Sequence, residues 1–543
     1  MPSSRFPKWL WIVLTVIVLA GMVILAGTIL ARRTLPQISG TLRLPGLHAP
    51  VTAARDRWGV PHIYASDQHD LFMAQGYVTA QDRLWQMLLR RQAVQGRLDA
   101  WLGADVAQAD DVLGRQDFPA QAEEMLDAVE PGIRAALDAY VLGINACLQS
   151  SPTPPELMLL QRQGKAARIE PWTDKDSIAL SQLLLWIQGQ QSDAGLPYAL
   201  AQKLGAERLA VLWPEGITPG HLSLPVAPEL RQVTRYIGLP LWRDESLNVA
   251  SAPGLPAALY VMAMYSDGPV VWGGTWPGVP GMMVDQTVVI SDSLSISAVQ
   301  DTQVLVKHLL DLPPDGWLQV RVHGMLRQWD NDLFGKTRLG NASAAVYQVW
   351  VWHLARDTFR DELGPDLFAR YWATGLDLQA LARLADKPDD PWWDDVTTPQ
   401  RENRDDIFRR AYAETLDYLG RHYGDLHTIW EWDSMHAAQL GHPLGEIGWI
   451  SAWLNRTVKL GGDAPFDPAR SDDPQTAYTP VLIQSLRINQ DKFSLAGGQS
   501  GNPLSPHYAD LLPLWARGEY APLQDAGHSQ DLKDVEGVLV LTP

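Results

Sequence analysis

The chain of 543 residues is short of several things that would advertise a function. It has one cysteine, Cys147, so no internal disulfide can form and no cysteine pair is present to hold zinc or run redox chemistry; buried filler is the expected role. Positive charge is scarce: 44 Lys and Arg stand against 62 Asp and Glu, for a net charge of −18. That balance argues against nucleic acid as a partner through phosphate neutralisation, and against a basic membrane-surface patch. The sequence has no Gly-x-x-x-x-Gly-Lys phosphate loop, no His-Glu-x-x-His zinc helix and no dinucleotide fingerprint. Long apolar runs are missing too, with one exception.

The exception is Trp9 to Ala31, 23 residues without a charge, preceded by Arg5 and Lys8 and followed by Arg32 and Arg33. At about 1.5 Å per residue such a run is long enough to cross a bilayer as a helix. The immediate Arg pair favours an uncleaved anchor over a cleaved signal peptide. The expected order is a cytoplasmic stub over 1–8, an anchor over 9–31 and a linker over 32–50. Basic residues on both flanks leave orientation undecided by charge alone.

What is abundant is core-forming material, at 46% hydrophobic residues and 23 tryptophans. The tryptophans are scattered along the chain, which reads as core and not as a carbohydrate-binding platform. The densest information lies between Val51 and Gly103. A short β-type run, Arg55-Asp56-Arg57-Trp58-Gly59-Val60-Pro61-His62-Ile63, turns at Gly-Val-Pro, since Gly permits positive φ and Pro biases its predecessor toward extended geometry. Then comes Ala74-Gln75-Gly76-Tyr77 through Asp82-Arg83-Leu84-Trp85-Gln86-Met87 to Gly96-Arg97-Leu98. Apolar residues at Leu84, Met87, Leu88, Val94, Leu98, Trp101 and Leu102 recur mostly at helical steps, with Gly103 where a C-terminal cap is expected.

This ordered stretch closely resembles the start of the mature α segment of the penicillin acylase (penicillin amidase) family, N-terminal-nucleophile hydrolases that cleave amides and, in some members, acyl-homoserine lactones. Further matches continue it. They include Tyr140-Val141-Leu142-Gly143-Ile144-Asn145, Glu170-Pro171-Trp172-Thr173 with Thr173 as a helix cap, Leu259-Tyr260-Val261-Met262, and the turn Gly273 to Gly281. The C-terminal third adds Trp430-Glu431-Trp432-Asp433, His442-Pro443-Leu444-Gly445 and the closing Gly497-Gly498-Gln499-Ser500-Gly501-Asn502-Pro503. The likeness covers most of residues 45 to 530, with two internal gaps. It implies an α+β fold, an αββα sandwich with a trimmed central sheet, and helical layers over 67–210 and 340–425. It divides the body into an α-segment-like region, 51–245, and a β-segment-like region, 246–543. It also tips the body toward the extracytoplasmic side of a single-pass anchor.

In active members the precursor is cut so that a serine becomes the first residue of the β segment. Its freed α-amine, with an ordinary pKa near 8, then serves as base for the serine's own hydroxyl. Here the resemblance puts Ser246 in that place, but Ser246-Leu247-Asn248-Val249 runs straight into Ser251-Ala252-Pro253-Gly254, and the family's following hairpin is missing. Asp292-Ser293-Leu294-Ser295 occupies the next family strand, which would put the backbone donor of the oxyanion hole near Ile296. The stretch carrying the oxyanion-hole asparagine is absent between Asp301 and Val320. Loss confined to the site is the pattern of a protein that keeps the acylase frame as a binding or partner module without hydrolysis. The competing reading is an active hydrolase of a small acylated amide or acyl-homoserine lactone, using Ser246 after self-cleavage.

No cofactor is expected unless the family's calcium ion is kept, for which Asp301 remains, with Asp193 as a partner from the α side. Hard cations need several oxygen ligands, so this set is thin. His427, His436 and His442 are spaced by nine and six residues, which fits no short ligand pattern and reads as satisfied structural histidines. Ser500 lacks the second glycine of a Gly-x-Ser-x-Gly elbow and reads as a turn residue. The acidic run around Trp392-Trp393 reads as a solvated loop.

Overall fold

The structure, a computed structural model, describes residues 33–543 apart from 166–167, 191–194, 214–259, 267–270, 282–283, 286–292, 332–336, 373–375, 425–429, 436, 446–447, 460–485, 490–491 and 518, together with six residues between 14 and 22. It is a mixed helix and strand protein. The strands are β1 (Gly40–Arg43), β2 (Val51–Asp56), β3 (Pro61–Tyr64), β4 (Tyr260–Tyr265), β5 (Val271–Thr275), β6 (Val284–Asp285), β7 (Ala437–Leu440), β8 (Arg456–Lys459), β9 (Leu486–Asn489), β10 (Lys492–Leu495), β11 (Ala521–Pro522) and β12 (Val535–Thr542). The principal helices are α1 (Gln68–Val94), α2 (Pro131–Ser150), α3 (Pro155–Arg162), α4 (Asp174–Gln190), α5 (Leu196–Leu212), α6 (Ser293–Asp311), α7 (Gly316–Leu326), α8 (Arg338–Trp372), α9 (Asp377–Ala385) and α10 (Arg404–Tyr423).

Seven strands form one sheet in the order β1-β12-β2-β3-β4-β5-β6. The pairs β1/β12 and β3/β4 are parallel and the rest antiparallel, so the two ends of the chain meet in one sheet. β4 is buried along its whole length, as a near-continuous apolar strand covered on both faces must be. β12 alternates instead, with Gly537, Leu539 and Leu541 inward.

α1 lies on this sheet and α2 lies on α1. The first helix starts where Asp67 accepts the Asp70 N–H as a cap. It ends at Gln95-Gly96, Gly96 having a φ of +60°, so the single helix expected as far as Gly103 is two, the second being Asp99–Leu102. The crossing of α1 and α2 depends on two glycines. A Cβ on Gly76 would lie 2.0 Å from the Tyr140 carbonyl oxygen, and one on Gly143 would lie 1.9 Å from that of Met73. α2 opens as Glu130-Pro131 suggested, with the Glu130 carboxylate accepting from the Gly132 N–H.

Beside the seven-stranded sheet, the described residues form only a three-stranded sheet, β11-β10-β9, and a two-stranded one, β7-β8. The helices between 340 and 425 are present, and among the described residues they pack on other helices. With α5, α6 and α7 they bury a separate helical core that includes Trp350, Trp393, Trp430, Phe359 and Phe408. Aromatic residues on several helix faces satisfy one another there, so no sheet is needed to cover them. The loop around Trp392-Trp393 is part of this core: Asp390 caps the Trp392 N–H, Asp394 accepts from the Glu402 N–H, and Asp395 pairs with Arg410 at 3.1 Å. It is not merely solvated.

The anchor expectation is also corrected. Among the described residues no helix is long and apolar enough to cross a membrane, so a single-pass protein with an extracytoplasmic body is not supported. Of the run Trp9–Ala31, only Leu14, Thr15, Val18, Leu19, Gly21 and Met22 are described, and the remainder lies outside the described residues.

Candidate active site

The first turn after β2 explains the order Asp56 to Pro61. The Asp56 carboxylate accepts the N–H groups of Trp58 and Val60 at 2.9 and 3.0 Å, holding Gly59 at a φ of +74°. Gly59 is obligatory for a second reason: a Cβ there would sit 2.8 Å from the His507 ring. His507 is clamped between Asp510 at 2.7 Å and Glu536 at 2.6 Å. Burial lowers its pKa, but the hydrogen bonds to the two carboxylates win and raise it to about 9.

A buried polar network then ties β2, α1 and β4 together. Arg55 Nη2 donates to Asp82 at 2.8 Å, and the Tyr260 hydroxyl donates to the same carboxylate oxygen. Burial opposes the charge on Arg55, but Asp82 and Tyr260 outweigh it and its pKa is raised. Tyr260 is held well above the ordinary phenol range, by burial first and then by Asp82. Arg83, next along, has its pKa lowered to about 10 by burial. Its guanidinium donates to the Gln499 and Gly498 carbonyls at 2.6 and 2.7 Å, where α1 kinks at Arg83.

The closing Gly-Gln-Ser-Gly signature serves this network. Gln499 receives the Val261 N–H at 3.1 Å and donates to the Val261 carbonyl at 2.5 Å. β3 begins only at Pro61, whose neighbour His62 is in register with Ala263, so the Gln499 amide continues the ladder past the end of that strand. Ser500 Oγ accepts the Asn502 N–H at 3.1 Å and its own N–H binds the His507 carbonyl, which is turn chemistry. The turn from Trp276 to Gly281 is fixed by Arg90 stacked 3.6 Å above the Trp276 ring, by the Gly278 N–H to Tyr140 Oη at 3.2 Å, and by Gln75 on Gly281.

The expected catalytic and metal residues are not brought together among the described residues. Ser246 and Asp193 lie outside them. Ile296 does not lie on a strand: residues 293–311 are helix α6, so its N–H falls inside the helical hydrogen-bond ladder. Asp301 sits on that helix, half-buried, with its carboxyl pKa raised by burial and opposed by Arg383. Among the described residues Asp301 belongs to no cluster of three or more ligand-type groups. Sequence reading passed over the cluster His48, Asp67, His69 and Asp70, whose ligand-type atoms lie within 4.8 Å of one another. Its groups are already engaged: Asp67 caps α1, and Asp70 accepts the N–H groups of His48 and Ala49 at 2.9 and 2.8 Å, pinning the loop to the helix.

His427 and His436 lie outside the described residues. His442 is described, and it is not fully satisfied. Its Nδ1 accepts the Leu444 N–H at 3.0 Å, while its Nε2 has no hydrogen-bond partner and faces Glu156 at 3.4 Å. Nothing in the sequence marks Glu156, which follows a Pro154-Pro155 helix start. Cys147 is buried as expected, its Sγ 3.2 Å from Ser151 Oγ.

Comparison with known proteins agrees with this frame. The penicillin amidase family model matches residues 50–297 and 292–527. The chain belongs to that family. It is 43% identical over 156 residues to penicillin acylase 2 proenzyme of Pseudomonas sp., covering 28% of this chain and 20% of that protein. It is 31% identical over 238 residues to acyl-homoserine lactone acylase QuiP of Pseudomonas aeruginosa, covering 38% and 28%. A thermostable penicillin G acylase from Alcaligenes faecalis aligns at 25% identity with a TM-score of 0.25, over 33% of this chain and 97% of that one. The chain therefore spans about a quarter of the curated relatives it matches.

Proposed function

We propose that this chain keeps the acylase frame as a binding or partner module, with a protein partner, and does not hydrolyse an amide bond. The observation that carries the reading is helix α6, which occupies residues 293–311 where the family frame calls for a strand presenting the oxyanion-hole N–H. An oxyanion donor contributes on the order of 3 kcal/mol to the transition state, and Ser246 lacks the family's neighbours on its C-terminal side. On this reading the body is a reduced αββα plan, with an α-segment-like part over 51–245 and a β-segment-like part over 246–543 that stay joined. Neither a calcium ion nor nucleic acid takes part.

The alternative, an amide or acyl-homoserine lactone hydrolase acting through Ser246, draws its support from the intact Arg55-Asp82-Tyr260 network and from the names of the relatives. Processing separates the two. Denaturing electrophoresis of the purified chain is expected to give one band. Two bands, with N-terminal sequencing that starts the smaller at Ser246, would establish the alternative.

A further inference from the structure

The loop that carries the chain from β1 to β2 is pinned to the start of helix α1, and four side chains of metal-ligand type meet there. His48 comes from the loop, whereas Asp67, His69 and Asp70 come from the cap and first turn of the helix. One ligand-type atom from each lies within 4.8 Å of the other three. His48 Nδ1 is 2.9 Å from Asp67 Oδ2 and 3.9 Å from Asp70 Oδ1, and His69 Nδ1 is 3.0 Å from that same Asp70 oxygen. In a four-coordinate zinc site with bonds of about 2.0 to 2.1 Å, neighbouring ligand atoms stand about 3.3 Å apart. The three separations bracket that value.

The two carboxylates share this small volume, and among the described residues no lysine or arginine is ion-paired with either; their ion-pair contacts are the two rings. Backbone groups aim both of them. Asp67 Oδ1 accepts the Asp70 N–H, and Asp70 accepts the N–H groups of His48 and Ala49, while Asp67 Oδ2 and Asp70 Oδ1 also meet the ring nitrogens. Ligating carboxylates are commonly oriented by such outer hydrogen bonds. Asp70 is buried and forms the floor, and the way in is past His48, whose side chain is 61% exposed. The rings are stacked with centroids 4.3 Å apart, so the exposed His48 ring is the one that turns to let both nitrogens meet one ion. Two imidazole nitrogens suit zinc, whereas calcium and magnesium take oxygen.

We propose that His48, Asp67, His69 and Asp70 form a zinc-binding site that clips the β1–β2 loop to helix α1. The ion takes the place of the proton that each ring and carboxylate share. The site is independent of whether the chain hydrolyses amides, and its test requires no turnover.

The untagged full chain, stripped with a chelator, is titrated with zinc chloride in competition with a chromogenic zinc indicator. One ion per chain should bind, with a dissociation constant of about 1 μM or lower. His48→Ala and His69→Ala should each weaken binding by at least about tenfold, since even an outer-shell partner of a metal ligand is worth that much. His528→Ala, at an exposed histidine elsewhere, should leave it unchanged. Zinc should raise the melting midpoint of the wild type and of neither cluster variant, because the assembled site is absent from the unfolded chain. Calcium and magnesium at millimolar concentration should not compete. The assignment is overturned by no zinc binding at micromolar concentration, by several ions per chain, by binding that either cluster variant leaves intact or that His528→Ala weakens equally, by a midpoint that zinc does not move, or by displacement with calcium.

Discussion

Gly143→Ala puts the α1/α2 crossing under direct strain. In an open helix the change stabilises, since alanine is favoured over glycine by about 1 kcal/mol. Here the new Cβ would lie 1.9 Å from the Met73 carbonyl oxygen and 2.8 Å from the Tyr77 nitrogen, both backbone atoms that no rotamer change can move away. Relief requires the two helices to part by more than an ångström, until the contact reaches about 3.4 Å. Parting them disturbs the Asn145 side chain on the Trp172 backbone, at 2.8 and 2.9 Å, and the Tyr140 hydroxyl on Gly278. Overpacking of this kind costs typically about 1 to 3 kcal/mol, and more where the backbone must yield. The clash should win, for a net loss of at least about 2 kcal/mol in chemical denaturation followed by circular dichroism. The control is Gly324→Ala in α7, where nothing lies within 4 Å of the added carbon and the propensity gain should appear unopposed. If Gly143→Ala proves as stable as Gly324→Ala, the close crossing does not exist.

Two further outcomes follow from the buried charges. Asp82→Asn keeps the shape but leaves Arg55 buried without its counter-charge, and should destabilise by about 3 to 5 kcal/mol in the same assay, well above a surface substitution such as Asp389→Asn. For His507, folding favours the protonated ring, whose pKa rises from 6.5 to about 9. Its contribution, on the order of 3 kcal/mol, is complete below about pH 6.5 and is lost as pH rises through about 9. Stability measured from pH 6 to 10 should decline across that window in the wild type and not in His507→Gln.

The frame was legible because its motifs have local causes. Asp56, Gly59 and Pro61 make one turn by their own chemistry; Gly76, Tyr140, Gly143 and Asn145 make one helix crossing; Gln499 completes one strand. Each is a residue type that nothing else replaces. The strand expected at residues 292–295 came from the resemblance alone, whereas the helical spacing of Val304, Leu305 and Leu309 goes with a helix over Ser293–Asp311. The second core was hidden because a tryptophan in sequence does not say which partner it meets. Glu156 and His442 were hidden for the opposite reason: a proline-opened helix and a family-like His-Pro-Leu are ordinary until the fold sets one against the other.

The central claim is tested most directly by turnover. Purified wild type and Ser246→Ala are assayed side by side on a chromogenic phenylacetyl amide and a long-chain acyl amide. Removal of a covalent nucleophile abolishes most of an enzyme's acceleration, so an active chain would show rates that differ by orders of magnitude between the two. The account predicts that neither exceeds the uncatalysed rate and that both melt at the same temperature. Robust wild-type hydrolysis that disappears in Ser246→Ala would contradict it.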